Sequence, residues 1–252
     1  MKKAIIIFFI LINLDTLLAQ ETIFEETVVK YNTEIAGGVI IHTNGFGANF
    51  RYGKFLTGFT QRLYQVDFVS WKNHREVKVY HYYYEDAKGY VFGKLNNLAF
   101  LRPSIGYHKS LYSKQSLSGV SINYTALVGP TIAFLKPVYL ILGINSGNRG
   151  GSVPYDDFST ERATKEIYDQ SNIYGRASFM QGIDKLKLEP GIHAKLGLNF
   201  EYANDKDVLK AIEVGLAADV FARKIPIMAY SENQQFFLSL SINLLYGVKK
   251  NE

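Results

Sequence analysis

"GIHAKLGLNFEYA" spans residues 191–203. Its even positions, Ile192, Ala194, Leu196, Leu198, Phe200 and Tyr202, are apolar or aromatic. Its odd positions His193, Lys195, Gly197, Asn199 and Glu201 are small, polar or charged. Strict alternation with a period of two reads as a β-strand with unlike faces. Two surroundings suit such a strand. In a soluble sandwich the apolar face packs on a second sheet and the polar face meets water. In a membrane barrel the apolar face meets lipid and the polar face lines a lumen.

The same alternation recurs along the chain. Residues 211–221 set Ile212, Val214, Leu216, Ala218 and Val220 against Glu213, Gly215, Ala217 and Asp219. Residues 236–248 set Leu238, Leu240, Ile242, Leu244, Tyr246 and Val248 against Ser239, Ser241, Asn243 and Gly247. Residues 119–129 and 46–53 repeat it, with Ser121, Asn123 and Thr125 on one polar face and Asn49 and Arg51 on another. Residues 98–111 alternate less cleanly: Arg102, Ser104, Gly106 and His108 share a face, and Pro103 lacks a ladder donor. Apolar faces five or six positions long favour the membrane barrel. So do aromatics near strand ends, Phe200, Tyr202, Phe236, Phe237 and Tyr246, placed as interface girdles are.

Weaker patterns at 33–42, 58–71 and 131–142 bring the strand count to nine. The last, "TIAFLKPVYLIL", is apolar on both faces. "TNG" at 43–45 is a hairpin signal, and "VGPT" at 128–131 and "NDKD" at 204–207 read as turns. A single-chain bacterial barrel needs an even number of strands. A missed strand in 76–94 or 22–30 gives ten, and removing one gives eight. The expectation is an all-β, antiparallel, up-and-down transmembrane barrel of about ten strands, with eight as the fallback. Residues 144–187 form one long loop, expected outside the cell. There "STERATKEIYD" resembles a short helix capped by Ser159, with Glu161–Lys165 and Arg162–Glu166 spaced as helical pairs.

The N-terminus fits export. "MKKAIIIFFILINLDTLLAQ" has two lysines, a short apolar run and Ala19 before Gln20, the pattern of a secretory signal peptide. Asn13 and Asp15 interrupt the run, so it falls short of a spanning helix. Residues 1–20 are therefore expected to be a signal and 21–252 a single barrel domain. Loss of Lys2, Lys3 and Asp15 takes the formal charge from +5 to +4. The chain has no cysteine, which excludes disulfides, cysteine-ligated zinc, Cys nucleophiles and a lipidated-cysteine anchor. Its basic residues are scattered rather than set in a stripe, which argues against nucleic acid as a partner.

Taken together, "HTNGFGANFRYGK" (42–54), "YVFGKLNNLAFLRPSIGY" (90–107), "GPTIAFLKPVYL" (129–140), "PGIHAKLGLNFEY" (190–202) and "FFLSLSINLLYGVKK" (236–250) resemble a group of uncharacterised exported proteins of Bacteroidota that look like small outer-membrane β-barrels. The resemblance covers most of the mature chain and implies the cell outer membrane. It brings no catalytic motif and no assigned activity.

The residues themselves point the same way. The five histidines, His42, His74, His81, His108 and His193, show no metal-ligand spacing. No GxSxG elbow, P-loop or dinucleotide fingerprint occurs. No cofactor, metal or catalytic residue is expected. The best-defined constellation is a polar lumen cluster of His193, Lys195, Glu201, Glu213 and Asp219. Pairing of the two strands in a register whose numbers sum to 412 sets His193 opposite Asp219. A sum of 414 sets Lys195 there and brings Glu201 against Glu213, an unfavourable like pair. The cluster reads first as a salt-bridged plug in a narrow lumen, and second as a polar pore or ligand pocket. "YHYYYE" (80–85) reads as an interface girdle or a sugar-stacking loop.

The expected role is non-enzymatic, structural or interacting, in the cell envelope. Outer-membrane lipids are the expected partners, with other envelope proteins contacting loop 144–187. The alternatives are a narrow pore for small solutes or ions, and a lipid-modifying enzyme. A soluble periplasmic β-protein is the reading outside the membrane.

Overall fold

The computed structural model describes residues 31–81, 86–112, 119–144, 157–168, 172–202 and 208–251. The expected signal peptide, the segment 22–30 and Tyr82–Glu85 of the tyrosine run lie outside the described residues. From Tyr31 onward the chain forms one compact unit.

Eight long antiparallel strands close into a barrel. In chain order they are β1 (Thr33–His42), β2 (Gly45–Phe55), β3 (Thr60–Trp71), β6 (Asn96–Tyr112), β7 (Val120–Pro137), β11 (Lys187–Tyr202), β12 (Val208–Ile225) and β13 (Gln234–Lys250). Each pairs with its chain neighbour among the eight, and β1 pairs with β13 to close the wall. The other elements sit in the connections. β4 (Lys78–Val79) and β5 (Tyr90–Val91) pair between β3 and β6. β8 (Tyr139–Ile144), β9 (Asp157–Arg162) and β10 (Ile173–Arg176) form a three-stranded sheet between β7 and β11, with a helical turn α1 (Lys165–Tyr168) beside it.

About ten barrel strands are expected from the sequence with eight as the fallback, and the barrel of the described residues has eight. "VGPT" does not turn. β7 runs straight through it, and 131–142 divides between the end of that strand and β8. Pairing of β7 with β6 stops after Leu101↔Ile132 and resumes in the same register at Ile105↔Val128. Pro103 and Pro130 therefore face each other, and neither has an N–H to give the ladder. Against β11 the strand is unbroken, with Ile192↔Pro130 inside the run. The described residues of 76–94 supply only the β4–β5 hairpin. In 144–187, Ser159 lies within β9 rather than capping a helix, so Glu161–Lys165 and Arg162–Glu166 are not helical pairs. The "TNG" signal does mark a tight hairpin between His42 and Gly45.

The faces divide by residue parity. Ile192, Leu196 and Leu240 point outward at 67%, 63% and 59% exposure, while Lys195, Glu213 and Ser239 are at most 2% exposed inside. Phe237 also turns inward, at 1%, and is not part of a girdle. Outward tyrosines 52, 64, 107, 202 and 246 cluster towards one end, and outward Phe46, Phe68 and Phe236 towards the other. At the tyrosine end Lys54, Arg62, Lys109, Lys210 and Lys250 occupy outward positions. From that rim to Lys136, Arg223 and Lys224 near the other end, no outward position on the eight strands carries a charge. A soluble barrel would have no reason to leave such a band uncovered.

Candidate functional site: a doubly sealed lumen

An eight-stranded barrel has an interior just wide enough for side chains to fill. Because alternate residues of every strand point inward, the filling is set by the polar faces read above. The ladder pairs His193 with Asp219 and Asn199 with Glu213, numbers that sum to 412.

Glu213 is the hub. Its carboxylate accepts from Arg51 on β2, lies 2.7 Å from the Lys195 ammonium on β11, and accepts from the Asn243 amide on β13 at 2.7 Å. The Thr125 hydroxyl on β7 approaches at 3.4 Å, and in turn lies 2.9 Å from His108 Nδ1. Arg51 also donates through Nε to Gln65 at 2.9 Å, and Gln65 donates to Asp67 at 2.7 Å. Arg51 and Glu213 sit on strands three places apart around the wall, so the pair crosses the lumen.

A second crossing lies nearer the end that carries the long connections. Arg102 on β6 forks onto Asp219 on β12, with Nε to Oδ1 at 2.9 Å and Nη2 to Oδ2 at 2.6 Å. His193 Nδ1 lies 3.4 Å from the same carboxylate. Such bidentate geometry fixes both side chains as well as attracting them. Three cations, Arg51, Arg102 and Lys195, thus balance three carboxylates, Asp67, Glu213 and Asp219. The layer carries no net charge with which to draw ions through.

Above it the lumen turns apolar. Trp71, Phe100, Phe221 and Phe237 pack as a ring cluster with centroids 5.2–5.6 Å apart, joined by Ile40, Val69, Leu98, Leu135 and Ile225. The Arg102 guanidinium sits 5.1 Å from the Phe100 ring centroid, joining the two layers. At the opposite mouth, Gln61, His108, Glu201 and Lys249 line a recess of about 150 Å³.

The five residues singled out from the sequence separate into three places. Lys195 and Glu213 share the hub, His193 and Asp219 share the Arg102 crossing, and Glu201 pairs with Lys249 at the mouth. Arg51, Arg102, Asp67 and the aromatic plug were not in that set. Arg51 and Arg102 were visible on polar faces. Their partners, 162 and 117 residues away, were not.

Outside the barrel, β8, β9, β10 and α1 enclose a small second core of Leu140, Leu142, Ala163, Ile167, Tyr168 and Ile173. The Tyr168 hydroxyl donates to the Lys94 carbonyl at 2.7 Å. Its burial pushes the phenol above its usual pKa and keeps it a donor. No described helix is long and apolar enough to cross a membrane. No group of three or more His, Cys, Asp or Glu among the described residues could hold a metal ion.

No protein-family model and no curated protein matches the chain. Solved structures do match, eleven chains in all, among them the following three. Ail, the attachment invasion locus protein of Yersinia pestis, in complex with the heparin analogue sucrose octasulfate, is 9% identical, with 86% of this chain and 97% of that one covered and a TM-score of 0.41. A second structure of Ail is 10% identical over the same shares, with a TM-score of 0.39. Neisserial surface protein A is 11% identical over 86% and 94%, with a TM-score of 0.37. Likeness at that level carries no function across.

Proposed function

We propose that the chain is an outer-membrane barrel with a sealed lumen, which acts in the cell envelope without enzymatic activity through the surface built on its long connections. The observation that carries this reading is the double seal: a charge-neutral ion-paired layer beneath an aromatic plug leaves no continuous aqueous path. Planar-bilayer recordings of the refolded protein are expected to be silent. Stepwise conductance from the wild type would overturn the reading in favour of a narrow pore.

The uncharged outer band supports the membrane location. The rim of Lys54, Arg62, Lys109, Lys210 and Lys250 fits the height of lipid phosphates, where long basic side chains place their charge. Leu216, at the middle of β12 and paired with Leu196 and Leu240, tests it. Leu216→Arg is expected to cost about 2–4 kcal/mol when the barrel is unfolded by urea from lipid vesicles. On a water-facing wall the same change would stay within about 0.5 kcal/mol.

Connection length supports the orientation. Both described chain ends and the strand ends flanking the connections after β2, β6 and β11 lie at the tyrosine end. Those flanking the connections after β1, β3, β7 and β12 lie at the other; apart from the tight β1–β2 turn, these span more residues. Bacterial barrels put short turns in the periplasm and longer loops outside. In this reading residues 1–20 are the export signal and 21–252 are one domain. The band contacts outer-membrane lipids, and 144–187 offers envelope proteins the edge of the small β8–β10 sheet. Membership of the Bacteroidota group belongs to the same proposal, supported by the stretches quoted above.

A further inference from the structure

Beside the small sheet, at the end with the long connections, lies a hollow of about 350 Å³. Five cations line it, Lys72, Lys78, Lys94, Lys136 and Arg176, with one carboxylate, Glu76. They come from separate parts of the chain. Lys72 follows β3, Lys78 and Lys94 belong to the β4–β5 connection, Lys136 is near the end of β7 and Arg176 ends β10. Lys94 takes Glu76 for itself at 2.7 Å. Among the described residues, no carboxylate lies within salt-bridge distance of Lys72, Lys78, Lys136 or Arg176. Two of these are held over rings instead: Lys78 over Tyr80 at 4.8 Å, and Lys136 over Phe179 at 4.5 Å.

Four like charges converging on one concavity repel one another, and that repulsion is relieved when an anion enters. Concave low-dielectric walls focus their field on the space between them. The space is far larger than a single phosphate needs and falls in the range of small-ligand sites. Its remaining lining includes the side chains of Tyr90, Tyr139 and Phe179, flat apolar surfaces against which a sugar ring can lie. Arg176 brings a planar fork that matches a phosphate or sulfate edge, and the lysines bring point charges.

We propose that this hollow binds a sugar-sized ligand bearing two or more phosphate or sulfate groups, either free or as the headgroup of a glycolipid. This rests on the closed-barrel reading only in making the loop end the working face. Binding to the purified full chain does not depend on whether the lumen conducts, so the two ideas fail separately.

The test has two arms. In the first, glucose 1,6-bisphosphate is titrated calorimetrically into the barrel held in neutral-lipid nanodiscs, with glucose as the uncharged control. In the second, nanodiscs doped with a bisphosphorylated glucosamine-disaccharide lipid are examined by native mass spectrometry for a retained lipid. Each arm is run on the wild type and on the double variant Lys72→Gln with Arg176→Gln. Both side chains are exposed, so the variant is expected to fold. Saturable binding that the double variant weakens about tenfold or more, and that fades as salt rises, supports the proposal. Binding in the first arm alone assigns a soluble ligand, and binding in the second alone assigns a headgroup. Absence of binding in both arms, or binding that the variant leaves unchanged, overturns it.

Discussion

Glu213→Ala is expected to destabilise the barrel by about 3–5 kcal/mol, the cost of removing one partner from a buried ion pair. The carboxylate is fully buried, and its loss leaves the Arg51 guanidinium and the Lys195 ammonium inside with no equal replacement. Asp67 is 3.9 Å from Lys195, too far to take over without a shift of side chains. The measurement is equilibrium urea unfolding from lipid vesicles, followed by loss of the heat-resistant folded band in SDS gels. Glu201→Ala makes the control. Its partner Lys249 lines the mouth recess and keeps 14% of its side chain exposed, against none for Arg51, so that variant is expected to lose clearly less, about 1–2 kcal/mol. Equal losses for the two would mean that water already fills the middle of the lumen, and the ion-paired seal would fall.

The second large effect is expected at the plug. Phe100 is fully buried, with Trp71, Phe221 and Phe237 around it at 5.3–5.5 Å between centroids. Phe100→Ala is expected to cost about 3–5 kcal/mol, because the wall of a closed barrel cannot collapse into the cavity. The chain has one tryptophan, and it lies in this cluster, so its emission reports on the plug alone. In the wild type the Trp71 band should be blue and resistant to acrylamide. In the variant it should move to the red and be quenched, while the bilayer stays silent because the Arg102–Asp219 crossing beneath still closes the lumen. An unchanged spectrum with a loss under about 1 kcal/mol would show that the aromatic cluster packs too loosely to seal.

Face assignment was the most legible property of the chain. A one-residue slip would turn every side chain to the other side, so a strand buried on one face must carry its orientation in its own alternation. Residues 190–202, 211–221 and 236–248 do so, and the ladder follows the parity they set. Strand number was not legible at Gly129-Pro130. Local turn propensity there is real, but unbroken pairing with β11 on one side, and pairing with β6 above and below the facing prolines on the other, outweighs it. Phe237 was misread because an aromatic near a strand end looks the same from the sequence whether it faces lipid or lumen. β8 to β10 run only four to six residues each, too short for alternation to stand out. Polarity of the lumen could be read one strand at a time. Its wiring could not, because Arg51 meets Glu213 only after the four barrel strands between them in the chain have been curled round to close the wall.

The facing prolines of β6 and β7 have a mechanical consequence. Around the rest of the wall, each stave is laced to the next without a missing stitch through the heart of the cylinder, but here three consecutive residues on each side go unlaced. Both rings turn outward, and in the proposed membrane location that sets the gap in the ladder against lipid, with no water to fill it. When the cylinder is stretched or heated, this seam is where it should begin to unzip, much as a perforated sheet tears along its holes.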